Sequence, residues 1–240
     1  MEIRVFKTYE ELSKEAAKQI IQLVKNNPNA TLGLATGSSP IGLYKELIND
    51  HQENKTSYNQ ITTFNLDEYF GIPKTHSQSY YKFMQENLFN FIDVNLEQVN
   101  IPSGDVKNIQ EECDVYNEKL SHASIDIQVL GIGGNGHIGF NEPGTSFDSI
   151  THQVKLDEKT RLDNARFFNS LEEVPTHAIT MGIKNILAAK QIILIASGKN
   201  KAEAIKAMVE GAIDPSCPAS SLQLHNNVWV FIDEDAASLL

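Results

Sequence analysis

Short apolar runs alternate along the 240-residue chain with stretches whose apolar residues recur every three or four positions. Runs at residues 30–35, 61–66, 125–130, 178–181, 191–196 and 228–232 are four to six residues long and read as buried strands. Helical spacing begins after Thr8-Tyr-Glu-Glu11, a capping-box pattern, with Leu12, Ala16, Ile20 and Leu23 on one face. Further helices are expected at 41–49, 79–91, 110–121, 183–189 and 201–210. Strands alternating with amphipathic helices predict an α/β fold: an open, mostly parallel, doubly wound (Rossmann-like) sheet with helices on both faces. No repeat, low-complexity tract or Pro/Gly/Ser-rich linker interrupts the pattern, so residues 1–240 are expected to form a single domain.

Composition narrows the function classes. Hydrophobic residues make up 41% and charged residues 21%, a globular balance. The apolar runs are too short to span a bilayer, and the N-terminus meets charges before any secretory core develops. Cys113 and Cys217 stand far apart, as free thiols do in the cytoplasm, where the protein is expected to reside. A net charge of −11 without a Lys/Arg run argues against nucleic acid and membrane partners. An anionic ligand would need a local positive site built against that field.

In open parallel sheets, ligands bind beyond the carboxyl ends of the strands. Thr36-Gly-Ser-Ser-Pro40 joins an expected strand to an expected helix: Gly37 permits close backbone approach, and Ser38 and Ser39 offer hydroxyls. The helix N-terminus then aims free N–H groups at an anion. The same residues also suit a plain turn with a capping serine. Ser197-Gly-Lys-Asn-Lys201 repeats the arrangement and adds the ammonium groups of Lys199 and Lys201. Gly131-Ile-Gly-Gly-Asn-Gly136 fits a dinucleotide fingerprint, yet no long helix follows it, and NAD binding is rejected. That loop displays Asn135, His137, Asn141 and Glu142, with the histidine suited to proton transfer near neutral pH. The scattered histidines lack metal-ligand spacing, so no metal is expected. Asp67 and Glu68 follow the second expected strand in an acidic loop flanked by Phe64, Leu66, Tyr69 and Phe70; apolar neighbours raise a carboxylate's proton affinity. A carboxylate base, a histidine and two anion loops suit proton abstraction on a phosphorylated sugar.

Taken together, the segments 34–40, 63–69, 79–81, 131–143, 164–168, 201 with 209–211, and 221–225 resemble the glucosamine-6-phosphate deaminase family, in family order across almost the whole chain. The resemblance implies conversion of glucosamine 6-phosphate and water to fructose 6-phosphate and ammonia, with no cofactor and no metal. It implies Asp67 as the base at C2, His137 as the group that opens the sugar ring, and Glu142 as the carboxylate that orients it. It places the substrate phosphate on Gly37, Ser38 and Ser39, with Arg166 and Lys201 supplying charge. Asn135 stands where some members carry an Asp in an Asp–His–Glu set, which implies a shifted acidic limb of the pH–rate curve. His152 and Val154 occupy the places of the Arg and Lys that bind an effector in hexameric members, and the longer C-terminal tail of those members is absent. No effector activation and a monomer or small homo-oligomer are therefore expected. A 6-phosphogluconolactonase on the same fold, a deaminase acting on galactosamine 6-phosphate, and a non-catalytic sugar-phosphate sensor are the rival readings.

Overall fold

The computed structural model describes residues 1–156, 161–162, 168 and 170–240. Its elements, in chain order, begin with β1 (Glu2–Phe6), α1 (Tyr9–Asn26), β2 (Thr31–Leu34), α2 (Ile41–Asn54), β3 (Thr62–Asn65) and β4 (Asp67–Tyr69). Then come α3 (Tyr80–Asn87), β5 (Val99–Asn100), α4 (Ile109–Ser121), β6 (Ile127–Leu130), β7 (His152–Lys155) and β8 (His177–Thr180). The chain closes with α5 (Ile183–Leu187), β9 (Gln191–Ala196), α6 (Ala202–Glu210) and β10 (Val228–Asp233).

Seven strands form a parallel sheet in the order β1-β10-β9-β6-β2-β3-β5. Its central strands are buried on both sides, as in a sheet covered on both faces: β6 is buried throughout, and so is β9 beyond its first residue. From β2 the chain moves outward through β3 to β5, then returns to lay β6 on the other side of β2. The connections therefore diverge between β2 and β6, and a crevice opens at their carboxyl ends, the switch point of a doubly wound sheet.

A second sheet, β4-β8-β7, is antiparallel and three-stranded. Two expectations are corrected here. The run at 178–181 belongs to this small sheet and not to the parallel one, and Asp67 and Glu68 lie in a strand and not in a loop. Strands of three or four residues with distant partners carry too little periodicity to show where they pair. Leu66 is the corner between the sheets: its amide donates to the Leu34 carbonyl (3.1 Å), and its carbonyl accepts the Met181 amide (2.6 Å).

The capping box at the first helix forms in a displaced version. Thr8 Oγ1 accepts the Glu11 amide at 3.2 Å, while the Glu11 carboxylate accepts the Lys7 amide at 3.0 Å, one residue before the cap. The expected helix at 79–91 ends at Asn87, and Phe89–Phe91 form a separate 3-10 turn. A large apolar core fills the parallel sheet and its helices; a smaller one, with Tyr69, Ile72, Phe140, Leu156 and Ala178, packs against the antiparallel sheet.

Candidate active site

The switch-point crevice holds a cavity of about 300 Å³, large enough for a monosaccharide phosphate. Its walls include Gly37, Ser38 and Ser39 after β2, Asp67 at the start of β4, the loop after β6 with His137, and Lys201. Four separated sequence segments thus converge on one pocket. Gly131 touches the β2 loop so closely that a Cβ there would stand 3.3 Å from Ser39 Oγ.

The end of β8 fastens the carboxylate and the imidazole segments together. Asp67 pairs with Thr180 across the antiparallel ladder. Thr180 Oγ1 accepts the Phe140 amide at 3.1 Å, and the Met181 carbonyl accepts Asn141 Nδ2 at 2.8 Å. Gly139 has a φ of +56°, and a Cβ there would stand 3.0 Å from Thr180 Oγ1 and 3.5 Å from Asp67 Oδ2. The left-handed φ and the tight approach to Thr180 Oγ1 both favour glycine at this crossing of the histidine loop and the carboxylate strand.

Adjacent carboxylates on β4 point to opposite faces, as strand residues must. Asp67 is 6% exposed and lines the cavity, whereas Glu68 is 2% exposed and turned away from it. Burial, with the charge of Glu68 added, pushes the Asp67 carboxyl up to about 8. Glu68 accepts the amides of Tyr69 (2.9 Å), Tyr80 (2.8 Å) and Tyr81 (3.0 Å), which clamps the N-terminus of α3 to the strand. Burial pushes Glu68 up to about 7 against the pull of those three amides. Of the pair, Asp67 alone faces the cavity, while Glu68 fastens α3 to the strand.

Behind the imidazole stand two residues that do not line the cavity. Glu142 Oε1 lies 3.4 Å from His137 Nδ1, within ion-pair reach. Asn135 bridges them: its Nδ2 donates to Glu142 Oε2 at 2.7 Å, and its Oδ1 accepts the His137 amide at 3.2 Å. The imidazole lies flat on Gly133, where a Cβ would fall 2.3 Å from His137 Cε1.

The anion side is less symmetric than the sequence suggests. The amides and hydroxyls of Gly37, Ser38 and Ser39 engage no described residue, and Gly37 adopts a φ of +85°. In the second loop, the Asp233 carboxylate takes the Ser197 hydroxyl (2.5 Å) and the Gly198 amide (3.0 Å). Lys199 is exposed and away from the cavity; Lys201 alone reaches it from that loop. Lys201 Nζ donates to the Ile132 carbonyl at 2.8 Å, and burial lowers its proton affinity. Arg166 lies outside the described residues.

Sequence reasoning assigned no role to Tyr80 or Phe140, which also line the cavity. The signal for Tyr80 was Ser79, which caps α3 by accepting the Lys82 amide at 3.1 Å and so places an aromatic pair at a helix start. His152 and Val154 lie on β7, an edge strand of the small sheet.

Comparison with known proteins agrees with this geometry. A family model described as glucosamine-6-phosphate isomerases/6-phosphogluconolactonase matches residues 7–231. The glucosamine-6-phosphate deaminase of Clostridium novyi (strain NT) is 56% identical over 241 residues, covering 100% of both chains. That of Alkaliphilus oremlandii (strain OhILAs) is 55% identical, again over 100% of each. A solved monomeric glucosamine-6-phosphate deaminase superposes with a TM-score of 0.97 at 48% identity, over 100% of both chains. A 6-phosphogluconolactonase from Trypanosoma brucei superposes at 0.80 with 18% identity, over 100% of this chain and 98% of its own, a likeness of fold alone. A match that runs through every wall of the described cavity, from the serine loop to Lys201, places this chain in the glucosamine-6-phosphate isomerase/6-phosphogluconolactonase family.

Proposed function

We propose that this protein converts glucosamine 6-phosphate and water to fructose 6-phosphate and ammonia. One observation carries the reading: a buried carboxylate, Asp67, and an imidazole backed by a carboxylate, His137 with Glu142, share a cavity with an uncommitted serine loop and a lysine. The full-length deaminase relatives support the same substrate.

The phosphate sits on the amides and hydroxyls of residues 37–39 beside Lys201, the local positive site that a chain of net charge −11 needs. His137 moves the proton of the C1 hydroxyl to the ring oxygen; the bond between C1 and the ring oxygen breaks, and the pyranose opens to the aldehyde form. Glu142, 3.4 Å from the imidazole Nδ1, orients the ring and balances its charge during transfer, while Asn135 holds Glu142 and the His137 backbone amide in place. Asp67 removes the proton from C2, and an enolamine forms as the C1 carbonyl oxygen takes up a proton. Asp67 then returns its proton to C1, leaving an imine at C2. Water adds to that imine, and ammonia leaves as the ketone forms.

Burial makes Asp67 a stronger base than an ordinary carboxylate, at the cost of holding it protonated up to about 8. The base form is needed, so kcat/KM of the free enzyme rises with pH toward that value. The decisive assay is ammonia release by the parent and by Asp67→Asn. Removing a general base costs on the order of 100- to 10,000-fold, and the variant should still bind the substrate. Turnover unchanged by Asp67→Asn rules out the assignment.

A monomer or small homo-oligomer in the cytoplasm is the assembly and location that accompany this reading, supported by the monomeric relative. Among the described residues, no helix is long and apolar enough to cross a membrane.

A further inference from the structure

We propose that Tyr9 is a positioning residue for the anion loop: by capping α2 from another helix, it leaves Ser38 and Ser39 free for the phosphate. The inference rests on the phosphate placement given under Proposed function. The first turn of an α-helix has amides without intrahelical partners, and a serine or threonine just before the helix usually takes one of them. Pro40 occupies the cap position of α2 and offers no side-chain acceptor. Neither Ser38 nor Ser39 supplies the cap. The Gly42 amide donates instead to the Tyr9 hydroxyl at 2.7 Å.

That hydroxyl is itself a donor, shared between the carbonyls of Ser38 (3.0 Å) and Ser39 (2.9 Å). Both carbonyls are thereby held toward α1, and Tyr9 is not among the cavity walls. A carbonyl oxygen turned into the cavity would repel a phosphate; one tied back on the outer side leaves the loop's amides and hydroxyls to face the anion. Gly42 makes the contact possible. A Cβ there would stand 2.9 Å from Tyr9 Cε1 and 2.3 Å from Ser13 Oγ, so only glycine lets α1 come this close. The serine loop is therefore built by two helices.

The test is Tyr9→Phe, which keeps the ring and removes the hydroxyl. The readouts are kcat and KM for glucosamine 6-phosphate and the competitive inhibition constant of inorganic phosphate. One neutral hydrogen bond corresponds to a change of roughly fivefold in an equilibrium constant. KM and the phosphate constant should therefore both rise about 3- to 10-fold, with kcat within about twofold of the parent. Unchanged KM and phosphate inhibition, even with a lower melting temperature, would make Tyr9 a helix brace only and overturn the proposal. A fall in kcat with both constants held would overturn it too. Calorimetry with inorganic phosphate separates this inference from the reaction: a parent that releases no ammonia but binds phosphate defeats the deaminase reading, while the Tyr9→Phe effect on phosphate binding still decides the role of Tyr9.

Discussion

The loop after β2 and the loop after β9 look alike as sequence, since each follows a buried strand, carries a glycine and a serine, and opens a helix. They differ in what already occupies their polar groups. After β2, the Ser38 and Ser39 carbonyls go to Tyr9, and the amides and hydroxyls facing the cavity engage no described residue. After β9, Asp233 takes both the Ser197 hydroxyl and the Gly198 amide. A carboxylate already sits where an anion would have to bind. The second loop is thus a mount for one side chain, Lys201, and the first, in the proposed reading, is the cradle itself. A strand–loop–helix motif shows that an anion site can exist; the partners of its amides decide whether it does.

Removing the mounted charge should give the largest effect. Lys201→Met deletes the ammonium and its bond to the Ile132 carbonyl. A charge-assisted contact contributes about 1.5–3 kcal/mol, so KM should rise roughly 10- to 100-fold, with a smaller change in kcat. Steady-state kinetics would report it. A KM within twofold of the parent would mean that the cradle works without the mount, and the contrast between the loops would have to be redrawn.

Breaking the mount rather than the charge should cost stability first. In Asp233→Asn the acceptor of the Ser197 hydroxyl and of the Gly198 and Ala236 amides loses its charge. Those bonds hold the Asp233 carboxyl below the usual carboxylate range, against its burial. A carboxyl lowered in the folded state adds stability that is fully present above its unfolded value, about 4, and fades as pH falls through the folded one. The variant should therefore lose about 1–3 kcal/mol at pH 7, with the gap to the parent closing on acidification below about pH 4. Thermal melts across pH check this; a gap that stays constant from pH 7 to pH 3 removes the charge from the account.

Much of this contrast lay beyond the reach of the sequence, for a physical reason. Inner strands such as Gln191–Ala196 announce themselves because a strand covered on both faces is apolar without interruption. The edge strands Glu2–Phe6 and His152–Lys155 do not, since half-exposed runs of four or five residues carry weak periodicity, and Asp67–Tyr69, though buried, is only three residues long and opens with two carboxylates. Residue chemistry pointed to Asp67, His137 and the serine loop, because a carboxylate among aromatics and a histidine among glycines are uncommon. What fastens them was hidden. Thr180, Tyr9 and Asp233 act by bonding backbone groups far away in sequence, 40 residues away for Thr180 and Phe140 and 35 for Asp233 and Gly198. Nothing local to a threonine, a tyrosine or an aspartate marks such a partner.

Lys199 gives the smallest expected effect and the sharpest check. It lies two residues before Lys201 in the same loop, and by sequence the two ammonium groups are equivalent candidates. The 3-10 turn Lys199–Lys201 separates them, leaving Lys199 exposed while Lys201 turns half-buried into the cavity. An exposed charge outside the cavity is screened by water and salt over about 8–10 Å. Lys199→Ala should accordingly leave KM, kcat and the melting temperature near the parent's, with only a small salt-sensitive change in KM. A rise in KM comparable to that of Lys201→Met would show that both lysines reach the anion, as the sequence alone suggested, and that the second loop is a cradle after all.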